Sequence, residues 1–171
     1  FSVTGNNTAT LTNTYPGGGM VSMDGMLLVV VYNHSSEPHR IIWINEGYDM
    51  LRASTTGYKY NYGVSSEEAT AYANFTGCEP IPMDKVVGAN LITVATHASD
   101  GDDYNRLYFN DGEWHGVWDS YPPTPPQWPW RSGIGGFGAP QLGMNETDVT
   151  IYLEATDNEA AFQSHIPDGG D

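Results

Sequence analysis

Asp100-Gly101-Asp102-Asp103 gathers three carboxylates within four residues. Oxygen ligands at alternating positions of a tight loop are what a hard cation such as calcium needs. Asp100, Asp102 and Asp103 are therefore the candidate Ca2+ ligands. No bidentate Glu follows at the spacing of a helical calcium loop, so a solvated turn remains the competing reading. A second concentration of chemistry lies in residues 111–147, a long Pro/Gly/Trp-rich insertion in which Trp114, Trp118, Tyr121, Trp128, Trp130 and Phe137 crowd together. Planar rings of this kind stack on sugar faces, or they bury large area against the domain itself or a neighbouring subunit. The interface residues expected on that basis are Trp114, Trp118, Trp128, Trp130 and Phe137.

Other constellations are weak. The five histidines, His34, His39, His97, His115 and His165, are scattered. His34 and His39 flank one polar turn, an arrangement more typical of loop residues than of a metal pair. Cys78 is the single cysteine; with no adjacent His or basic residue to lower its pKa it reads as a buried or inert thiol, the sharper alternative being an intermolecular bridge or a lipid attachment. Zinc-protease, nucleophile-elbow, P-loop and dinucleotide signatures are absent. Paired carboxylates for glycoside hydrolysis declare themselves only in three dimensions, and no pair stands out. The sequence predicts no enzyme.

Charge narrows the partners. The chain has 171 residues, with 21 Asp plus Glu against 6 Lys plus Arg, a formal charge of -15. Self-repulsion of that size opposes binding to nucleic acid or an anionic membrane, and the basic residues form no stripe. No stretch approaches the ~18 apolar residues of a membrane span. The chain opens on Phe1 rather than Met, which reads as an engineered boundary or a processed product, and no charged-then-apolar leader is present. Asn-x-Ser/Thr sequons at Asn6, Asn33, Asn74 and Asn145 point to an extracellular glycoprotein.

These residues must be positioned by strands. Met26-Leu27-Leu28-Val29-Val30-Val31-Tyr32 and Ile41-Ile42-Trp43-Ile44-Asn45-Glu46-Gly47 are near-continuous apolar strand formers separated by a polar turn. Such a pair predicts a buried central hairpin. Further strands are expected over 69–75, 90–97, 106–109, 148–154 and, more weakly, 160–165, with Asn110-Asp111-Gly112 as a turn. Residues 65–73 and 82–89 have room for at most a turn or two of helix. The Thr-rich residues 1–15 have an edge-strand composition and precede Pro16 and three glycines. The whole predicts a single all-β domain over residues 1–171, a β-sandwich of seven or eight mostly antiparallel strands.

The succession LLVVVY, IIWINEGYDML, YANFTG, ANLITVATHASDGDD and LYFND resembles a family of secreted β-sandwich domains of unassigned activity, found in surface proteins of methanogenic archaea. The matching positions include Trp43-Ile44-Asn45-Glu46-Gly47-Tyr48-Asp49 and Phe109-Asn110-Asp111-Gly112, over roughly residues 20–155. Departures are the Asp within the second motif, the Trp/Pro insertion, and two ends that look cut short. The resemblance implies a structural role: a homopolymeric subunit of a sheath, surface layer or filament. A carbohydrate-binding module using the Trp/Tyr-rich loop is the alternative. On the first reading the expected partners are copies of the chain, joined through residues 2–14 as an exchanged strand, with glycans as further partners and multivalent cations bridging the like charges.

Overall fold

A computed structural model describes residues 27–47, 49–54, 63–96, 104–118 and 142–166, together with Thr8, Thr10, Thr12 and Thr14. Among these residues the protein is all-β, with six strands in two antiparallel sheets. The strands are β1 (Thr70–Phe75), β2 (Asn90–Thr96), β3 (Asn105–Phe109), β4 (Gly112–His115), β5 (Leu142–Asp148) and β6 (Asn158–Ser164). One sheet has the order β1-β6-β3-β4 and the other pairs β2 with β5.

Side-chain alternation explains how each strand faces. In β1, Ala71, Ala73 and Phe75 turn inward while Tyr72 and Asn74 are exposed, the period of two that a half-buried strand requires. In β3, Asn105, Leu107 and Phe109 are buried and Arg106 and Tyr108 face out. The core closes between the sheets around Leu91, Leu107, Phe109, Trp118, Val149 and Ala160. Trp118 stacks on Phe162, centroids 5.5 Å apart and planes 12° apart, and its Nε1 donates to Thr93 Oγ1 at 3.0 Å. Phe75 packs on Phe109, and Trp114 meets Tyr152 edge-on at 5.4 Å. Gly143 makes room for this core: a Cβ there would lie 2.7 Å from Trp118 Cβ.

Several expectations hold. The strands expected over 69–75, 90–97 and 106–109 are β1, β2 and β3, and the Asn110-Asp111 turn joins β3 to β4 with Phe109 opposite Gly112. Residues 82–89 contain one short 3-10 turn, Met83–Lys85.

Other expectations are corrected. The apolar run Leu27–Tyr32 is not a buried hairpin arm. It forms no strand, and Leu28, Val30 and Tyr32 are 82%, 67% and 68% exposed. The turn is present, with Glu37 N donating to His34 O, but the segments on either side do not pair. The second run instead lies beside β1, where Trp43 Nε1 donates to Thr76 O and Asn45 Nδ2 to Asn74 O, each at 3.1 Å. An apolar run states that a segment gains from cover; it does not state what covers it.

The strand expected over 148–154 is a 3-10 turn at Thr150–Tyr152. Asp148 Oδ1 accepts Thr150 N–H at 2.9 Å and turns the chain, so Val149 is buried while Ile151 is 84% exposed. The strand at this place is β5, which ends at Asp148 and occupies the last part of the expected insertion. That insertion, 111–147, begins inside the β3–β4 hairpin and ends inside β5; residues 119–141 lie outside the described part. The weakly read last strand, β6, is central, paired on both sides by β1 and β3.

Candidate functional site

The outer face of the four-stranded sheet carries the most organised set of polar side chains among the described residues. Register places Thr70, Gln163, Arg106 and His115 in one row across the four strands, and Tyr72, Ala161, Tyr108 and Glu113 in the next. Three donors converge on one carboxylate oxygen. Glu113 Oε1 receives His115 Nε2 at 2.8 Å, Arg106 Nη1 at 3.0 Å and the Tyr108 hydroxyl at 3.4 Å. The single Tyr108 hydroxyl proton is shared, as a three-centre bond, between Glu113 Oε1 and the nearer Gln163 Oε1 at 3.2 Å, and Gln163 Nε2 donates to Thr70 Oγ1 at 3.0 Å. The network therefore runs from β4 to β1 without a break.

The hydrogen bond from His115 is the main cause of a Glu113 pKa below its ordinary value; burial opposes it and the Arg106 charge adds to it. A carboxyl held ionised in this way is a poor proton donor near neutrality, where general acids work best. Its role is to fix the orientation of Arg106, His115 and Tyr108.

Alongside this network lies a shallow groove of about 260 Å³ bordered by Thr70, Tyr72, Tyr108, Asn110, Glu159, Ala161 and Gln163. Small Ala161 is its floor, and the two tyrosines stand on the flanking strands. None of these residues stood out in the sequence as a site. The available signal was the outward Thr70/Tyr72 and Arg106/Tyr108 alternation, which acquires meaning only once register is known.

The residues nominated from sequence fall elsewhere. Asp100, Asp102, Asp103, Asn6, Trp128, Trp130 and Phe137 lie outside the described residues. Trp118, expected at a subunit contact, is 2% exposed in the core of its own domain, which leaves it no surface for a neighbour. Trp114 is half-buried against Tyr152. Asn33 and Asn74 are exposed, just before the His34–Glu37 turn and on the outer face of β1 respectively. Asn145 is half-buried, and its Nδ2 donates to Thr147 Oγ1, the hydroxyl of its own sequon, which is itself buried. A glycan at Asn145 would have to displace the interior, so the fold disfavours that site. Cys78 is exposed. Among the described residues no group of three or more His, Cys, Asp or Glu is arranged to hold a metal ion. Nor is any helix among them long and apolar enough to cross a membrane.

A two-sheet antiparallel sandwich with a polar outer face defines the class of this chain as an all-β domain. Over residues 1–171 it matches the family described as "Protein of unknown function (DUF3344)", and it belongs to that family. No curated protein and no solved structure gives a match.

Proposed function

We propose that the domain is a non-catalytic structural subunit of an extracellular archaeal surface assembly, a sheath, surface layer or filament, whose copies join through β contacts. The observation that carries this reading is the run Leu27–Tyr32. Alternate residues Leu27, Val29 and Val31 are 54%, 55% and 56% exposed, less than their neighbours on the other side. More than half of every side chain in the run is exposed, and the run forms no strand. Six consecutive strand-forming side chains left at the surface are a template for strand addition.

The same chain carries an acceptor. The β2–β5 sheet has two strands, each with an outer edge that pairs with no described residue, and a two-stranded sheet is marginal alone. Ile92 on β2 is 62% exposed and gives this sheet an apolar surface of its own. A second copy's Leu27–Tyr32 laid along this edge supplies main-chain hydrogen bonds and covers both apolar surfaces. Local apolar contact offsets the repulsion between copies that each carry -15.

The test is a Leu28→Ser/Val30→Ser double variant, compared with the parent by sedimentation and electron microscopy. Because both side chains are exposed in the single copy, the variant keeps its β-rich circular dichroism and loses assembly. Assembly at the parental level contradicts the proposal. Loss of the fold itself would show that the run belongs to the domain's own core.

A further inference from the structure

We propose that the groove between Tyr72 and Tyr108 is a binding site for a single neutral sugar ring. This inference is independent of how copies of the chain assemble, because it rests on the opposite face of the sandwich from the β2–β5 sheet.

Register brings Tyr72, Ala161 and Tyr108 into one row on three neighbouring strands. The two tyrosine Cα atoms stand two strand spacings apart, roughly 9.6 Å. The methyl group of Ala161 between them makes a low floor, while Tyr72 is 64% exposed and presents an open ring. A slot with aromatic walls and a small apolar floor suits the C–H face of a pyranose, which stacks on π-systems.

Polar groups close the two ends. Gln163 and Glu159 point outward on β6, on either side of Ala161 and two residues from it. Gln163 is held by its bonds to Thr70 and Tyr108, which occupy its carbonyl and one N–H. The amide has a second N–H to offer. The Glu159 carboxylate at the other end is an acceptor beside Asn110. A donor at one end and an acceptor at the other suit hydroxyl groups, which do both. The groove's own lining brings a carboxylate and no cation, which argues against a phosphate or a uronate. At about 260 Å³ the groove falls below the ~300–1,000 Å³ of sites for drug-sized ligands. One ring is therefore the appropriate occupant.

The experiment is an NMR titration of the whole chain with methyl glycosides of glucose, galactose and mannose. A glucuronide and a proline-rich peptide serve as competing ligand classes, since prolines also dock between aromatic rings. The expected result is that at least one neutral glycoside shifts the Tyr72 and Tyr108 ring signals and the Gln163 side-chain amide. Tyr72→Ala, at an exposed position that leaves the fold intact, weakens binding at least tenfold, and Gln163→Leu does the same. Ala161→Leu, which fills the floor, abolishes it. The proposal is overturned if no neutral glycoside perturbs these signals up to its solubility limit. It is equally overturned if the glucuronide or the peptide is preferred, or if sugar binding survives Tyr72→Ala unchanged.

Discussion

Asn110 Nδ2 donates to Asn158 Oδ1 at 2.9 Å, and this contact ties the turn between β3 and β4 to the first residue of β6. Asn158 is 1% exposed, and its polar atoms are all used: Oδ1 also accepts from Glu154 N, and Nδ2 donates to Glu154 O. Asn110, at φ 47°, completes the clamp by donating to Tyr152 O and accepting from Glu159 N. Asparagine tolerates this left-handed backbone better than most residues.

Replacing Asn158 by Leu keeps the branched shape, at a somewhat larger volume, and strands the groups that it satisfies. Three groups lose their partner, one Asn110 amide N–H and the N–H and carbonyl of Glu154; at ~1–3 kcal/mol for each buried polar group left unpaired, the expected loss is about 3 kcal/mol or more. That is a large part of a typical domain's 5–15 kcal/mol. Urea unfolding checks this, and a loss below about 1 kcal/mol would mean that water replaces the network.

Trp118 and Gly143 form a matched pair. Trp118→Ala removes the stack on Phe162 and the bond to Thr93, for an expected loss of about 3–5 kcal/mol. Gly143→Ala places a methyl carbon 2.7 Å from Trp118 Cβ and 3.1 Å from its carbonyl oxygen. Overpacking of this kind costs ~1–3 kcal/mol. In the double variant the two losses are expected to be nearly additive, because alanine keeps the Cβ and the carbonyl oxygen that make the two closest contacts and only the 3.2 Å contact with Cγ is relieved. A thermodynamic cycle on the four proteins measures the coupling.

Glu113 has a lowered pKa in the folded state, chiefly through His115. A group whose folded pKa is depressed contributes stability that is fully present above its ordinary value and is lost as pH falls through the folded one. The parent is therefore expected to be more stable than Glu113→Gln at neutral pH. The difference should shrink on acidification toward roughly pH 3, below the ordinary Glu range. Melting curves across that interval test the sign: a difference that grows with acid would contradict it.

Sequon placement gives a further expectation. If native material is glycosylated, Asn33 and Asn74 carry the sugars and Asn145 is bare, because only the first two are exposed. Peptide mass mapping reads the occupancy directly, and a glycan on Asn145 would show that β5 opens during synthesis.

The fold was partly legible in the sequence, and the limits have physical causes. Phe109-Asn110-Asp111-Gly112 identified a hairpin because turn chemistry is local. β2 and β3 were visible for a similar reason, since apolar alternation is a property of one strand. β6 gives a weak signal because Ala160 and Ala161 are small, while its central place between β1 and β3 is a matter of register. Leu27–Tyr32 was overvalued because hydrophobicity measures the gain from cover and carries no address. The candidate groove left no local mark, since Tyr72, Ala161 and Tyr108 meet only through the register of three strands.

Hydrogen–deuterium exchange of the main-chain amides of residues 27–32, in dilute single copies and in the assembled form, tests the central claim most directly. The account predicts rapid exchange in the single copy, where these amides are exposed and form no strand, and strong protection on assembly as they pair with a neighbouring sheet edge. Strong protection already present in the dilute single copy, unchanged on assembly, would contradict it and place the run in the domain's own sheet.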